Sequence, residues 1–136
     1  MHISLRAGER FYINGAVLCV DRKVSFELLN DATFLLDAHV MRVEEVTTPL
    51  RQLYFIVQIM LMNPADTPAA QEMFDQALRL SRNQFVDPAI LVGLDIAKRL
   101  IDDNRKFEAL KAIRKLLPVE AAQLDQVKSA APERAA

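Results

Sequence analysis

Up to about residue 46, apolar residues either alternate with polar ones or gather in short runs; beyond it they recur every three to four positions. Ile3-Ser4-Leu5-Arg6 alternates. Phe11-Tyr12-Ile13 and Ala16-Val17-Leu18-Cys19-Val20 are runs of β-branched and aromatic character, bounded by Gly8, Asn14-Gly15 and Asp21-Arg22-Lys23. Asn-Gly between two such runs predicts a hairpin, because a two-residue loop that follows the strand twist needs positive φ at both positions. Gly8-Glu9 marks an earlier turn. Residues 24–28 alternate as a half-buried strand does, and 33–36 and 40–43 are read as two more strands, with Asn30-Asp31 and Asp37-Ala38 as turns. The stretch 28–36 also suits a short helix.

From Thr48 onward the period becomes helical. Thr48-Pro49, Thr67-Pro68 and Asp87-Pro88 each set a side-chain acceptor before a proline: the acceptor satisfies an orphan N–H, and proline has no N–H to strand at the first helical position. The predicted helices cover 49–62, 68–84, 88–102 and 105–117. Ala70, Met73, Phe74, Ala77 and Leu78 share a face of the second, Ile90, Leu94, Ala97 and Ile101 of the third, and Phe107, Leu110, Ile113 and Leu117 of the fourth. The first is apolar nearly all round, which places it between the sheet and the other helices or in a dimer interface. Gly93, costing about 1 kcal/mol relative to alanine in a helix, implies a close helix contact. Pro118 is expected to end the fourth helix. The expected organisation is α+β: an antiparallel β-unit over 1–46, a cluster of four helices over 47–118 packed on it, and a partly disordered tail over 119–136 that frays at Ser129-Ala130-Ala131-Pro132.

Composition adds mainly exclusions. The 136 residues are 51% hydrophobic with a net charge of −1, so a core is available and bulk charge does not announce a nucleic-acid binder. The longest apolar stretch, 53–62, is interrupted only by Gln58 and is too short for a membrane span, which needs about 20 residues. The N-terminus enters strand-like alternation with no leader pattern, and the single Cys19 excludes an internal disulfide; both suit the cytoplasm. Cys19, mid-strand among apolar neighbours, is read as a buried small hydrophobe. Gly8, Gly15 and Gly93 are scattered, so no phosphate loop is formed. His2 and His39 lack neighbours at metal-ligand spacing, and Glu44-Glu45 and Asp102-Asp103 are adjacent pairs suited to turns and caps. No catalytic residue, metal, cofactor, small-molecule substrate or membrane contact is expected.

Two basic sets remain. Arg6, Arg10, Arg22, Lys23 and Arg42 lie in the β region, diluted by seven acids over the first 46 residues. Ser4 and Arg6 share a strand face, and such a face can grip RNA phosphates, with Phe11 or Tyr12 for stacking if exposed. The same arginines also suit an ordinary solvated face guarding an edge strand. Lys98, Arg99, Arg105, Lys106, Lys111, Arg114 and Lys115 gather around the third helix–helix turn against Asp102, Asp103 and Glu108. That set also suits helix ends, where cations complement the dipole.

The N-terminal Ile3, Leu5, Gly8, Glu9, Arg10, Ile13, Asn14, Gly15, Ala16 and Val17, followed by Thr48-Pro49 and Arg51-Gln52-Leu53-Tyr54-Phe55-Ile56-Val57-Gln58, resemble the FlbT family of flagellar regulators. The likeness implies a cytoplasmic post-transcriptional regulator that binds the 5′ untranslated leader of flagellin mRNA and represses translation or promotes decay. Ser4-Leu5-Arg6-Ala7-Gly8-Glu9 and Val40-Met41-Arg42-Val43-Glu44-Glu45 are similar to the first and last strands of the CsrA family of RNA-binding repressors. That second likeness implies an RNA site at Leu5, Arg6 and Arg42 and a homodimer, strand-exchanged in its β half. The competing expectation is an adaptor that binds a FlaF-like protein or flagellin through an exposed apolar face of 49–62 and the basic turn over 98–115.

Overall fold

The computed structural model describes residues 1–30 and 32–125, with the backbone of one helix carried to Ala135. The fold is α+β: five short strands in two antiparallel sheets precede the helices. Strand β1 (His2–Leu5) pairs with β4 (Val24–Glu27), Ile3 opposite Phe26 and Leu5 opposite Val24. Strand β2 (Arg10–Ile13) lies between β3 (Ala16–Cys19) and β5 (Phe34–Leu36). Asn14 and Gly15 take φ of 48° and 83°, the hairpin geometry expected of them. In the earlier turn, Glu9 accepts the Arg6 N–H at 2.8 Å and returns its own N–H to the Arg6 carbonyl at 3.1 Å.

Both faces of β2 are covered. Phe11, 1% exposed, packs with Ile3, Leu5 and Phe34 in a small core. Tyr12 joins the large core around helix α1 (Pro49–Met62). A run of rings links the layers: Phe11 lies 5.3 Å from Phe26 and 5.6 Å from Phe34, and Phe34 lies 5.0 Å from Phe107. Neither Phe11 nor Tyr12 is therefore open for stacking on a base, since the strand that carries them is covered on both sides.

Helix α1 occupies the centre, with Leu50, Leu53, Val57 and Met60 fully buried. Each such side chain contributes about 1.5–3 kcal/mol. Most of the apolar surface of 49–62 is covered by the sheet and the other helices, which leaves little of it exposed. Around it lie α2 (Thr67–Gln84), α3 (Pro88–Asp102) and α4 (Lys106–Ala135). Thr48 Oγ1 accepts the Arg51 N–H at 3.2 Å and Asp87 accepts that of Ala89 at 2.8 Å, as the Thr-Pro and Asp-Pro signals predict. Thr67 does not cap: a short 3₁₀ turn, Pro64–Asp66, runs directly into α2, and Thr67 is already helical. On the predicted face of α2, Ala70, Phe74 and Leu78 are buried, whereas Met73 is half exposed; on α3 all four predicted residues are buried.

Three further expectations are overturned. Residues 40–43 form no strand. Gln58, 3% exposed on α1, receives the Met41 N–H at 2.6 Å and donates to its carbonyl at 3.0 Å, taking the place of a neighbouring strand. Pro118 does not end α4. A mid-helix proline costs about 3 kcal/mol, and the turns on either side offset it. Leu116 is buried, and Glu120, 1% exposed, accepts from the Thr48 hydroxyl and, at 3.0 Å, from the Leu50 N–H. That carboxylate sits at the positive end of α1. Cys19 is exposed rather than buried, because β3 is an edge strand with no layer over it. The turn role of Asp31 and the fraying around Ser129-Ala130-Ala131-Pro132 lie outside the described residues.

Candidate nucleic-acid interface and helix groove

The β-unit carries four of its cations where the β1–β4 pairing meets the β2–β3 pairing. Continuing the β1–β4 register beyond Leu5 and Val24 sets Arg6 opposite Lys23, and Arg22 is next in the same turn. Arg10 stands opposite Cys19 on the neighbouring hairpin. Ser4, Arg6, Arg10, Arg22 and Lys23 are all exposed. Arg22 touches Asp21 at 3.3 Å, with both side chains at least 80% exposed, a pair worth little in water. Arg6 and Lys23 have no carboxylate within salt-bridge distance among the described residues. Leu5 belongs to the small core at 3% exposure, so its side chain is withdrawn from any surface. Arg42 is exposed but lies elsewhere: its segment is held to α1 by Gln58, and its N–H bonds to Glu45. Since β1 pairs with β4 and 40–43 is no strand, the chain does not itself form the CsrA-like pairing of first and last strands.

The helical cations divide. Lys98 bridges Asp102 at 2.9 Å and Asp75 at 3.6 Å, and the hydrogen bond to Asp102 holds its ammonium pKa above the ordinary value. Arg105 pairs with Glu108, and Lys106 reaches the Thr67 hydroxyl at 3.5 Å. Arg114 turns to the far side of α4, donating to the Tyr54 hydroxyl at 3.2 Å with its guanidinium over that ring. Tyr54 donates in turn to the His39 carbonyl. The His39 imidazole is held below its ordinary pKa by burial, then by the charges of Arg114 and Lys111. Arg99 is exposed.

Arg105, Lys106, Lys111 and Lys115 line one groove of about 1220 Å³ between α3, α4 and the hairpin tip at Asn14. Val92 and Ile96, both exposed, form its apolar wall on α3. Lys111 lies over the Phe107 ring at 4.7 Å, and Lys115 stands one turn further along α4. Gly93 forms part of the groove, where a Cβ would come within 2.6 Å of the Leu116 methyl groups. The close contact that this glycine implied is therefore present. Sequence reasoning grouped these cations by position but could not see that α3 supplies the opposing apolar wall. Among the described residues, no helix is long and apolar enough to cross a membrane, and no group of three or more His, Cys, Asp or Glu residues could hold a metal ion.

The family described as "Flagellar protein FlbT" matches residues 1–124. Among similar proteins, the "Probable flagellum biosynthesis repressor protein FlbT" of Mesorhizobium japonicum is 51% identical over 88% of this chain and 82% of its own. The protein of that name in Brucella anthropi is 54% identical over 89% of this chain and 80% of its own, as is that of Brucella abortus strain S19. No solved structure matches.

Proposed function

Because the chain belongs to the FlbT family of flagellar proteins, we propose that it represses flagellum biosynthesis in the cytoplasm by binding the 5′ untranslated leader of flagellin mRNA. Binding there lowers translation or promotes decay of the message. The supporting observation is the exposed set of Arg6 and Lys23, with Arg22 and Arg10 near them in the same register, where the β1–β4 pairing gives way to the β2–β3 pairing. Arginine and lysine on a rigid β framework suit phosphates of a single-stranded or looped RNA, and such contacts carry a strong salt dependence. Arg42 is left to a peripheral contact.

The test is binding of the purified protein to the flagellin leader and to a scrambled RNA of equal length. Preference for the leader, reduced by Arg6→Ala with Lys23→Ala and less affected by Arg42→Ala, is the expected result. Equal weak binding to both RNAs, unchanged by the substitutions, overturns the reading.

One observation favours a second reading, that of an adaptor. The groove between α3 and α4 joins an apolar wall to a wall of lysines, which suits an amphipathic helix with an acidic flank. A FlaF-like protein or flagellin is the partner class that this reading tests, through retention on the wild-type protein and loss with Val92→Glu or Lys111→Glu.

A further inference from the structure

The two sheets have four outer strand edges, and they are not treated alike. On β5, Phe34 and Leu35 are buried. On β1 and β4 the exposed positions are polar: His2 and Ser4 on one, Ser25 and Glu27 on the other. On β3 all four residues are exposed, none is charged, and Val17 and Leu18 are 58% and 50% open to solvent. Edge strands are ordinarily guarded by charge, proline, a bulge or a covering element. This one has none of these.

Its hydrogen-bonding groups are open as well. The Val20 N–H bonds to the Glu9 carbonyl at 3.4 Å, and the Val20 carbonyl receives the Gly8 N–H at 2.7 Å. Antiparallel alternation then turns Ala16 and Leu18 toward β2, and the N–H and C=O of Val17 and Cys19 away from it.

We propose that β3 pairs antiparallel with the β3 of a second copy across a two-fold axis at Leu18, joining two three-stranded sheets into one of six. The edge is self-complementary in this register. The outward groups of Val17 exchange hydrogen bonds with those of Cys19 in the other copy, and each Leu18 meets its symmetry mate. The exposed apolar side chains thus cover one another on both faces of the sheet. Asp21 of one copy falls beside Gly15 of the other, so no like charges are opposed. The pairing stands independently of what either candidate site binds, and it sets two Arg6–Lys23 clusters on one scaffold.

The register makes the test specific. Leu18 and its mate form a non-hydrogen-bonded pair with Cα atoms about 4.5 Å apart, which is within disulfide reach. Val17 meets its own mate only on the diagonal. Sedimentation equilibrium on the full chain should show a dimer that is lost with Leu18→Arg, while the thermal melt keeps its cooperative shape. In a Cys19→Ser background, Leu18→Cys should be trapped as a disulfide-linked dimer under mild oxidation, and Val17→Cys should not. A wild-type monomer at high concentration, a dimer indifferent to Leu18→Arg, or trapping of Val17→Cys as readily as Leu18→Cys overturns the proposal.

Discussion

The β-unit and the helical unit use their polar side chains in opposite ways. In the helical unit most are already engaged: Gln58 satisfies the backbone of Met41, Glu120 holds the start of α1, Lys98 is bound by two aspartates, and Arg114 by Tyr54. In the β-unit, Arg6, Arg10 and Lys23 project into solvent with no carboxylate partner among the described residues. A count of charges alone therefore says little about recognition. A cation that already spends its hydrogen bonds inside the fold must break them to meet a phosphate, and a free one need not.

The comparison can be broken most forcefully at Glu120. Replacing it with alanine leaves the Thr48 hydroxyl and the Leu50 N–H without their acceptor, and removes what carries α4 past Pro118. A loss of about 3 kcal/mol is expected in urea unfolding, with RNA affinity of the folded protein unchanged. Gln58→Leu should cost about 2 kcal/mol by the same measurement, because the amide that pairs both polar groups of Met41 is gone. Gly93→Ala should destabilise by about 1–3 kcal/mol through overpacking against Leu116, despite alanine's better helix propensity.

Arg6→Ala with Lys23→Ala should do the reverse of the Glu120 change. Stability should stay within about 0.5 kcal/mol of wild type, while leader binding falls. The smallest effect concerns His39. Its folded pKa is depressed below the ordinary 6.5, and its Nδ1 is buried without a hydrogen-bond partner among the described residues. The unfolded chain therefore takes up the proton first. The stability contribution is complete above pH 6.5 and is lost as pH falls from there through the lowered native value. Urea midpoints from pH 7.5 to 5 should fall for the wild type and less for His39→Asn.

Much of the fold was legible in the sequence because it is locally encoded. Asn14-Gly15 demands its turn, Thr48-Pro49 and Asp87-Pro88 announce their helices, and the stripe Ile90, Leu94, Ala97, Ile101 shows which side of α3 is buried. What escaped depends on distant partners. Val40-Met41-Arg42-Val43 reads as a strand until Gln58, 17 positions on from Met41, supplies the bonds a strand would have made. Pro118 reads as a stop until Glu120 reaches back 70 positions to Leu50. Cys19 reads as buried because an apolar run cannot say whether its strand lies in the middle of a sheet or at its edge. For the candidate sites, the basic residues were visible as a set. Their division into free and engaged members was not, since it depends on acids such as Asp75 that come from another helix.

The salt dependence of leader binding tests the contrast between the two units most directly. Log K against log salt should be measured for the wild type, for Arg6→Ala with Lys23→Ala, and for Lys98→Ala with Arg105→Ala, a pair already held by carboxylates. Loss of each phosphate contact should flatten the slope by about one. The account predicts a slope shallower by about two for the β-unit pair, lost preference over scrambled RNA, and little change for the helical pair. A slope unchanged by the first pair and flattened by the second would contradict it.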